Sequence, residues 1–347
     1  MYHIRPSHLS DLDGILELIR ASGDQLTTLP NDPQFIEQRL HESQRAFYPR
    51  ISAPGGEYYL FVLTDGSGGP ILGTSAIVAR VGGFDPFYTY EIRGESFAYK
   101  PVGVNQTVNT LHLKRSHKGP SEICSLFLRP DCRSGGLGRL LSLSRFLFLA
   151  TFRERFDKEV IAEIRGWLDN DGHSPFWEAI GRHFFQQDFF SADVISGLGN
   201  KDFIEALMPK HPIYAPTLST EAQSVIGHPH RNAEPAYRLL MKEGFGATNE
   251  VDIFDAGPML RATVDSIITV RDLRVLTLRG VVERSVGSDE PQQTTRPGLM
   301  ANRHLDFRVC LADPIAVHDE LADLSAPVAE ALGLEIGDEF SYISASV

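Results

Sequence analysis

Ser121-Glu122-Ile123-Cys124-Ser125-Leu126-Phe127-Leu128-Arg129-Pro130-Asp131-Cys132-Arg133-Ser134-Gly135-Gly136-Leu137-Gly138-Arg139-Leu140 is the stretch whose reading decides the fold. Ile123 to Leu128 is an apolar run that fits a strand, and Arg129-Pro130 ends it. Gly135, Gly136 and Gly138 follow, then a long apolar run from Arg139 to about Phe156 that fits a helix. A strand, a glycine turn and a helix start form a phosphate cradle. Glycines let the backbone aim its N–H groups at an anion that side chains would otherwise hold off. The helix adds its unpaired first N–H groups and the positive end of its dipole. The plain alternative is a glycine-rich turn with no ligand.

Two common phosphate loops do not fit. A P-loop requires Lys-Ser/Thr after its glycines, and a dinucleotide loop requires Gly-x-Gly-x-x-Gly. The spacing here is Arg133-x-x-Gly136-x-Gly138. It resembles the acyl-CoA pyrophosphate loop of the GNAT N-acyltransferase superfamily.

Composition sets wide bounds. The chain has 347 residues, 42% hydrophobic and 22% charged, which is ordinary for a globular protein and enough for two or three domains. No stretch approaches the roughly 18 apolar residues of a membrane span. The start, Met1-Tyr2-His3-Ile4-Arg5-Pro6, lacks the apolar core of a secretion signal. Cys124, Cys132 and Cys310 are too few for a disulfide framework or a zinc knuckle, so the expected compartment is the cytoplasm. A net charge of −12 argues against nucleic acid and anionic membranes as partners. It suits a small cationic substrate.

Outward from the cradle, Tyr2–Arg5 fits a strand, and Ser10-Asp11-Leu12-Asp13 opens a helix with Ser10 as its N-cap. A second helix is expected over Pro33–Phe47, and strands over Tyr58–Thr64 and Ile71–Arg80 around a Gly-rich turn. Residues 82–120 read as a less regular insertion. Val160–Leu168 fits a strand, and Ser174-Pro175-Phe176-Trp177 opens a helix. The order β-α-α-β-β-β-α-β-α-β matches that of GNAT domains. A helix at Asp202–Met208, an apolar helix ending in Glu243-Gly244-Phe245 and a strand at Glu250–Phe254 suggest a second, degenerate GNAT-like portion, with an unrelated αβ extension as the alternative. From Ser266, β-branched runs (Ile267–Val270, Val275–Leu278, Val281-Val282) and Gly337–Ile343 suggest a small β-rich module, and 285–298 a mobile loop. The expected fold is α/β (α+β), divided into 1–190, a GNAT acyl-CoA-binding domain; 191–265, the second GNAT-like portion; and 266–347, the β-rich module.

Longer stretches resemble the arginine N-succinyltransferase family. They include Leu26-Thr27-Thr28-Leu29-Pro30, Ser121-Glu122-Ile123-Cys124, Ser144-Arg145-Phe146, Ala162-Glu163-Ile164-Arg165-Gly166, Leu207 to Tyr214, Val225-Ile226-Gly227 and Asp252-Ile253-Phe254-Asp255. The likeness covers about residues 1–265. It implies transfer of a succinyl group from succinyl-CoA to the α-amine of arginine, or of ornithine, in arginine catabolism. It implies no tightly bound cofactor, and a homo-oligomer or a hetero-oligomer with a paralogous subunit. Two other classes stay open: a GNAT enzyme acetylating another amine, and a non-catalytic CoA-binding subunit.

The resemblance places a succinyl-CoA contact at Leu126 and the proton donor at His230, with His228 adjacent as its rival. Leu128, Arg133, Gly136 and Gly138 complete the expected CoA contacts. Glu122 and Asp85, the latter in the patch Phe84-Asp85-Pro86-Phe87-Tyr88, are candidates for the guanidinium, which takes a carboxylate as bidentate partner and an aromatic face as stacking surface. Lys210, Arg165 or Arg145 could hold the succinyl carboxylate. His228 and His230 with His211 could also be read as metal ligands, but no Cys or carboxylate stands at ligand spacing and thioester chemistry needs no metal. No metal is expected.

Overall fold

The computed structural model describes residues 1–23, 26–66, 68–83, 85–197, 201–283 and 297–344. The loop expected at 285–298 lies almost wholly outside them. The chain gathers into two compact units. The first holds 1–79, 125–157 and 264–347, and the second 80–124 and 158–263. The fold is mixed α/β, as its residue patterns predict.

In the first unit, Tyr2–Pro6 pairs antiparallel with Tyr58–Asp65, which pairs with Ile71–Val78. All but the last residue of each of these two longer strands is buried, so they read as unbroken apolar runs rather than alternating ones. The other edge of Tyr2–Pro6 takes Val309–Leu311, with His3 opposite Cys310. Leu299–Asn302, Glu339–Ile343, Arg274–Val282, Leu321–Ser325 and Ala316–His318 continue from there. The β-rich C-terminal residues therefore extend the sheet begun by the N-terminus. Helix Leu137–Thr151 is apolar nearly all round, and every residue from Leu140 to Leu149 is buried, as a helix without a polar face requires. Phe148 anchors the core, with its ring 5.0 Å from Phe307, 5.2 Å from Phe61 and 5.6 Å from Phe47. Gly73 lets the chain pass this close: a Cβ there would stand 2.7 Å from the Phe127 carbonyl oxygen.

The first helix begins one step later than its sequence suggests. Ser10 lies in a 3-10 turn, Leu9–Asp11, and the helix runs Leu12–Ser22. Asp11 organises the turn, accepting from the His8 N–H and from both Arg5 Nη groups. Helix Pro33–Ala46 is capped by Asp32, which accepts from Gln34 and Phe35 N–H.

In the second unit, Glu159–Glu163 pairs parallel with the start of Ser121–Leu128 and antiparallel with Pro258–Thr263. Gly246–Val251, Phe87–Tyr99, Val104–Ser116 and Ile213–Tyr214 follow in that order. Short helices at Pro175–Ala179, Gly181–Phe185, Phe189–Gly197 and Asp202–Leu207 cover a core of Trp177, Phe176, Tyr90, Phe185, Phe189 and Phe254. Ser174 caps the first of them by accepting from Trp177 N–H.

Three local expectations are corrected. Residues 82–120 contain a regular hairpin, Phe87–Tyr99 against Val104–Ser116, in register from Phe87↔Ser116 to Tyr99↔Val104. Its outer half is exposed on both faces, so it lacks the alternation that marks a half-buried strand. Ile267–Val270 does not form a strand: Ile268–Arg271 is a helical turn, too short for β-branching to decide its conformation. The strand expected at Glu250–Phe254 ends at Val251, because Asp252 accepts from Phe254 and Asp255 N–H and turns the chain.

Candidate active site

The first unit carries the cradle. Ser125 sits inside a strand with φ +49°, a conformation that costs a residue bearing a Cβ roughly 1–3 kcal/mol. Three hydroxyls hold it there. The Ser125 hydroxyl bonds Tyr58 OH at 2.6 Å and Thr28 Oγ1 at 2.9 Å, and Thr74 Oγ1 donates to the Ser125 carbonyl at 3.0 Å. Bonds of about 1 kcal/mol each are enough to offset the strain. The kink directly precedes Leu126, which is half-buried; Leu128 is buried.

Beyond the strand, Arg129 and Asp131 form a two-point ion pair at 2.6 and 3.1 Å. Arg133 turns back on the loop. Its Nε donates to the Leu128 carbonyl at 3.2 Å and its guanidinium lies 5.7 Å from the centre of the Phe127 ring. Gly135 and Gly136 have φ +65° and +84°. A Cβ on Gly135 would meet nothing within 4 Å, and one on Gly136 only Leu311 Cδ1 at 3.5 Å, so backbone conformation rather than space requires glycine here. Gly136 caps helix Leu137–Thr151 without a side chain. Among the described residues, the N–H groups of Gly135, Gly136, Gly138 and Arg139 have no acceptor. Four open donors, three of them glycine, at the start of a 15-residue helix make an anion site by both geometry and dipole.

The second unit carries an acidic group and the histidine. Ser121 and Glu122 face Val160 and Ile161, so the two-residue repeat of a strand puts Glu163 on the same face as Glu122. Met259 stands opposite Glu163, and Asp252 follows the neighbouring strand, its N–H bonded to the Gly257 carbonyl at 2.9 Å. Burial pushes the Glu122 carboxyl up to about 7, with Lys201 opposing. Glu163 is raised well above the usual carboxylate range by burial and then by Glu122 and Asp252. Asp252 is raised by burial and then by Asp255. Among the described residues none of these three carboxylates has an ion-pair partner. Like charges this close stay ionised together only when a cation joins them.

Asp255 is differently placed. It accepts from Gly166 N–H and Gly257 N–H, each at 2.8 Å, and lies 3.6 Å from Arg165 Nε. Arg165 also binds Asp193 at 2.6 Å and covers the Phe189 ring. These contacts anchor the histidine segment, because His230 N–H donates to the Arg165 carbonyl at 2.7 Å and Pro229 bridges Gly166. Asn232 N–H donates to His230 Nδ1 at 3.2 Å, which favours the neutral tautomer with its proton on Nε2. Burial, then Arg231 and Arg165, hold the ring below the usual histidine range, with Asp255 opposing. His230 is half-buried; His228 is exposed.

Of the residues singled out in the sequence, Leu126, Leu128, Arg133, Gly136 and Gly138 gather at one strand end, and Glu122 and His230 lie in the second unit. Asp85 is exposed, and Phe84 beside it lies outside the described residues. Among the candidate cations, Arg165 is engaged with carboxylates, Arg145 is buried against Ser142, and Lys210 is exposed. Sequence reasoning missed Glu163 and Asp252. The signal was available: each is an acid embedded in an apolar run, Val160-Ile161-Ala162-Glu163-Ile164 and Val251-Asp252-Ile253-Phe254. Among the described residues no helix is long and apolar enough to cross a membrane.

Residues 2–269 match the family model described as arginine N-succinyltransferase beta subunit. An arginine N-succinyltransferase of Yersinia pestis is 40% identical over 345 residues, 99% of this chain and 98% of its own. An arginine N-succinyltransferase subunit beta of Pseudomonas aeruginosa is 44% identical over 301 residues, 86% of this chain and 85% of its own. Among solved structures, arginine/ornithine succinyltransferase subunit AI from Pseudomonas aeruginosa superposes with a TM-score of 0.88 at 32% identity, covering 99% of both chains.

Proposed function

This chain belongs to the arginine N-succinyltransferase family, and we propose that it is an acyltransferase that moves a succinyl group from succinyl-CoA to the α-amine of arginine in arginine catabolism. The observation that carries the substrate assignment is the acidic group. Glu122, Glu163 and Asp252 lie in one acidic group, and among the described residues none of them has an ion-pair partner, Lys201 acting on Glu122 and Glu163 without forming one. A guanidinium, always charged and able to make several hydrogen bonds in a plane, supplies what they lack.

The cradle takes the CoA pyrophosphate on the N–H groups of Gly135, Gly136, Gly138 and Arg139. Arg133 acts from behind by bracing the Leu128 carbonyl. Leu126, following the kink at Ser125, contacts the acyl-CoA through its backbone. The arginine α-ammonium must lose one proton to solvent before it attacks the thioester carbon, and the nitrogen must lose a second as the amide forms. The C–S bond then breaks, and the CoA thiolate takes up a proton. His230 serves both ends of that sequence. Its neutral ring, favoured by the lowered pKa, accepts the amine's proton and as imidazolium returns one to sulfur. Each acyl transfer leaves the ring as it began, and no cofactor is consumed.

Cytoplasmic action accords with three free cysteines, Cys124, Cys132 and Cys310. Ornithine is the second amine to test, because the superposing Pseudomonas aeruginosa chain is named for both. The test is thiol release from succinyl-CoA in the presence of arginine, ornithine or lysine. Release with arginine is expected. Release with none of the amines, by protein that still binds CoA, would point to a chain that needs a partner to catalyse.

A further inference from the structure

In the first unit, helix Pro33–Ala46 packs on strand Tyr58–Asp65, and Arg39 lies at that contact. Its guanidinium carbon is 4.6 Å from the centre of the Tyr58 ring and 5.0 Å from that of Phe35, one helical turn earlier. Its Nε is buried and has no hydrogen-bond partner. Among the described residues the guanidinium makes one hydrogen bond, from Nη1 to the Glu42 carboxylate at 3.0 Å. That pair is open to water, with Arg39 25% exposed and Glu42 36%, so it contributes little. A guanidinium offers five N–H donors, and most of these are unused. A buried donor without an acceptor costs the fold free energy that a ligand can restore.

Tyr58 joins Arg39 to the acyl site. Its OH bonds the Ser125 hydroxyl at 2.6 Å, at the kink directly before Leu126. A succinyl group whose thioester carbon lies at Leu126 carries its carboxylate two methylenes farther on, a reach comparable to the length of a tyrosine ring. Taking that carboxylate out of water is costly unless a cation meets it. The cations singled out in the sequence do not serve: Arg165 holds Asp193, Arg145 is buried against Ser142, and Lys210 is exposed.

We propose that Arg39 binds the carboxylate of the succinyl group and so selects succinyl-CoA over acetyl-CoA. This rests on the reading of the chain as a succinyl-CoA-dependent acyltransferase. Nε and Nη2 supply the two parallel bonds that a carboxylate accepts from arginine. The Phe35 and Tyr58 rings hold the guanidinium plane in place while those bonds form.

The test is calorimetric titration of wild type and R39Q with succinyl-CoA, acetyl-CoA and CoA, with no amine present. Wild type is expected to bind succinyl-CoA more tightly than acetyl-CoA. R39Q is expected to lose roughly 100-fold in affinity for succinyl-CoA, the loss of one charged two-point contact, and to bind acetyl-CoA and CoA as wild type does. R39K keeps the charge and the stem without the planar fork; it is expected to fall between the two, and it carries the test should R39Q not fold. Variants that bind succinyl-CoA as wild type does would overturn the proposal. So would a loss shared equally by all three ligands, which is what removing a brace for Tyr58 would give. Wild-type thiol release with arginine reports on the reaction separately: release selective for succinyl-CoA, beside variants with unchanged succinyl-CoA affinity, overturns the role of Arg39 and leaves the reaction standing.

Discussion

The phenol oxygen of Tyr58 stands 2.6 Å from the Ser125 hydroxyl, and this bond helps hold a strand residue at φ +49° one position before Leu126. Removing the Ser125 hydroxyl leaves a strained backbone and takes one hydrogen bond from a buried tyrosine. S125A is therefore expected to lose about 1–3 kcal/mol in urea unfolding. S125G, which relieves the strain while losing the same bonds, is expected to lose less. Equal losses would mean the left-handed backbone carries no strain.

The cradle predicts that G136D folds and fails to bind CoA. Aspartate is among the residues that accept a left-handed backbone, and the space at this position is open. Its carboxylate would add a negative charge beside the pyrophosphate that the backbone N–H groups are to hold. CoA affinity is expected to fall by roughly 100-fold, the equivalent of about 2.7 kcal/mol, while the chain still folds, with a melting temperature lowered by the strain of a side chain at φ +84°. Calorimetric titration of CoA checks it, and normal binding by the folded variant would remove the cradle from the account.

Much of this was legible in the sequence, for identifiable reasons. The glycine turn could be read because three glycines part an apolar strand from an apolar helix, and Gly135 and Gly136 take the positive φ that glycine favours. Elements such as Tyr58–Asp65 and Leu137–Thr151 could be read because their apolar runs are long enough to outweigh local noise. The long hairpin was hidden because its exposed half buries neither face, which removes the period-two signal. Asp252 was read as a strand residue because its neighbours are apolar, and only the two N–H groups it accepts reveal a turn. The chain also passes from the second unit to the first inside one continuous strand, between Cys124 and Ser125. No glycine, proline or polar run announces that crossing.

The acidic group predicts a pH effect on substrate binding. Glu122, Glu163 and Asp252 have raised pKa values in the fold, so the folded state holds more protons than the unfolded chain above pH about 4.5. Stability from these groups is present at low pH and lost as pH rises through the folded values, near 7 for Glu122. A bound guanidinium favours the ionised forms. The KM for arginine should therefore fall between pH 6 and 8, and binding should release protons, seen as a buffer-dependent heat. E122Q and E163Q are each expected to raise that KM roughly 10-fold, about one charge-assisted hydrogen bond, with a smaller effect on the KM for succinyl-CoA.

His230 predicts a division between two neighbours. H230A is expected to lower kcat by roughly 10²–10⁴-fold, while H228A, at an exposed position, leaves it unchanged. The depressed pKa of His230 places the acid limb of kcat below the usual histidine value of about 6.5, and that limb should vanish in H230A. Equal losses in the two variants would reassign the proton transfer.

Thiol release from succinyl-CoA by the purified chain tests the central claim most directly, with arginine, ornithine and lysine offered in turn and acetyl-CoA as the control donor. Arginine-dependent release from succinyl-CoA, with little from acetyl-CoA and none with lysine, is the predicted result. Equal release from acetyl-CoA, or release indifferent to which amine is present, would contradict it.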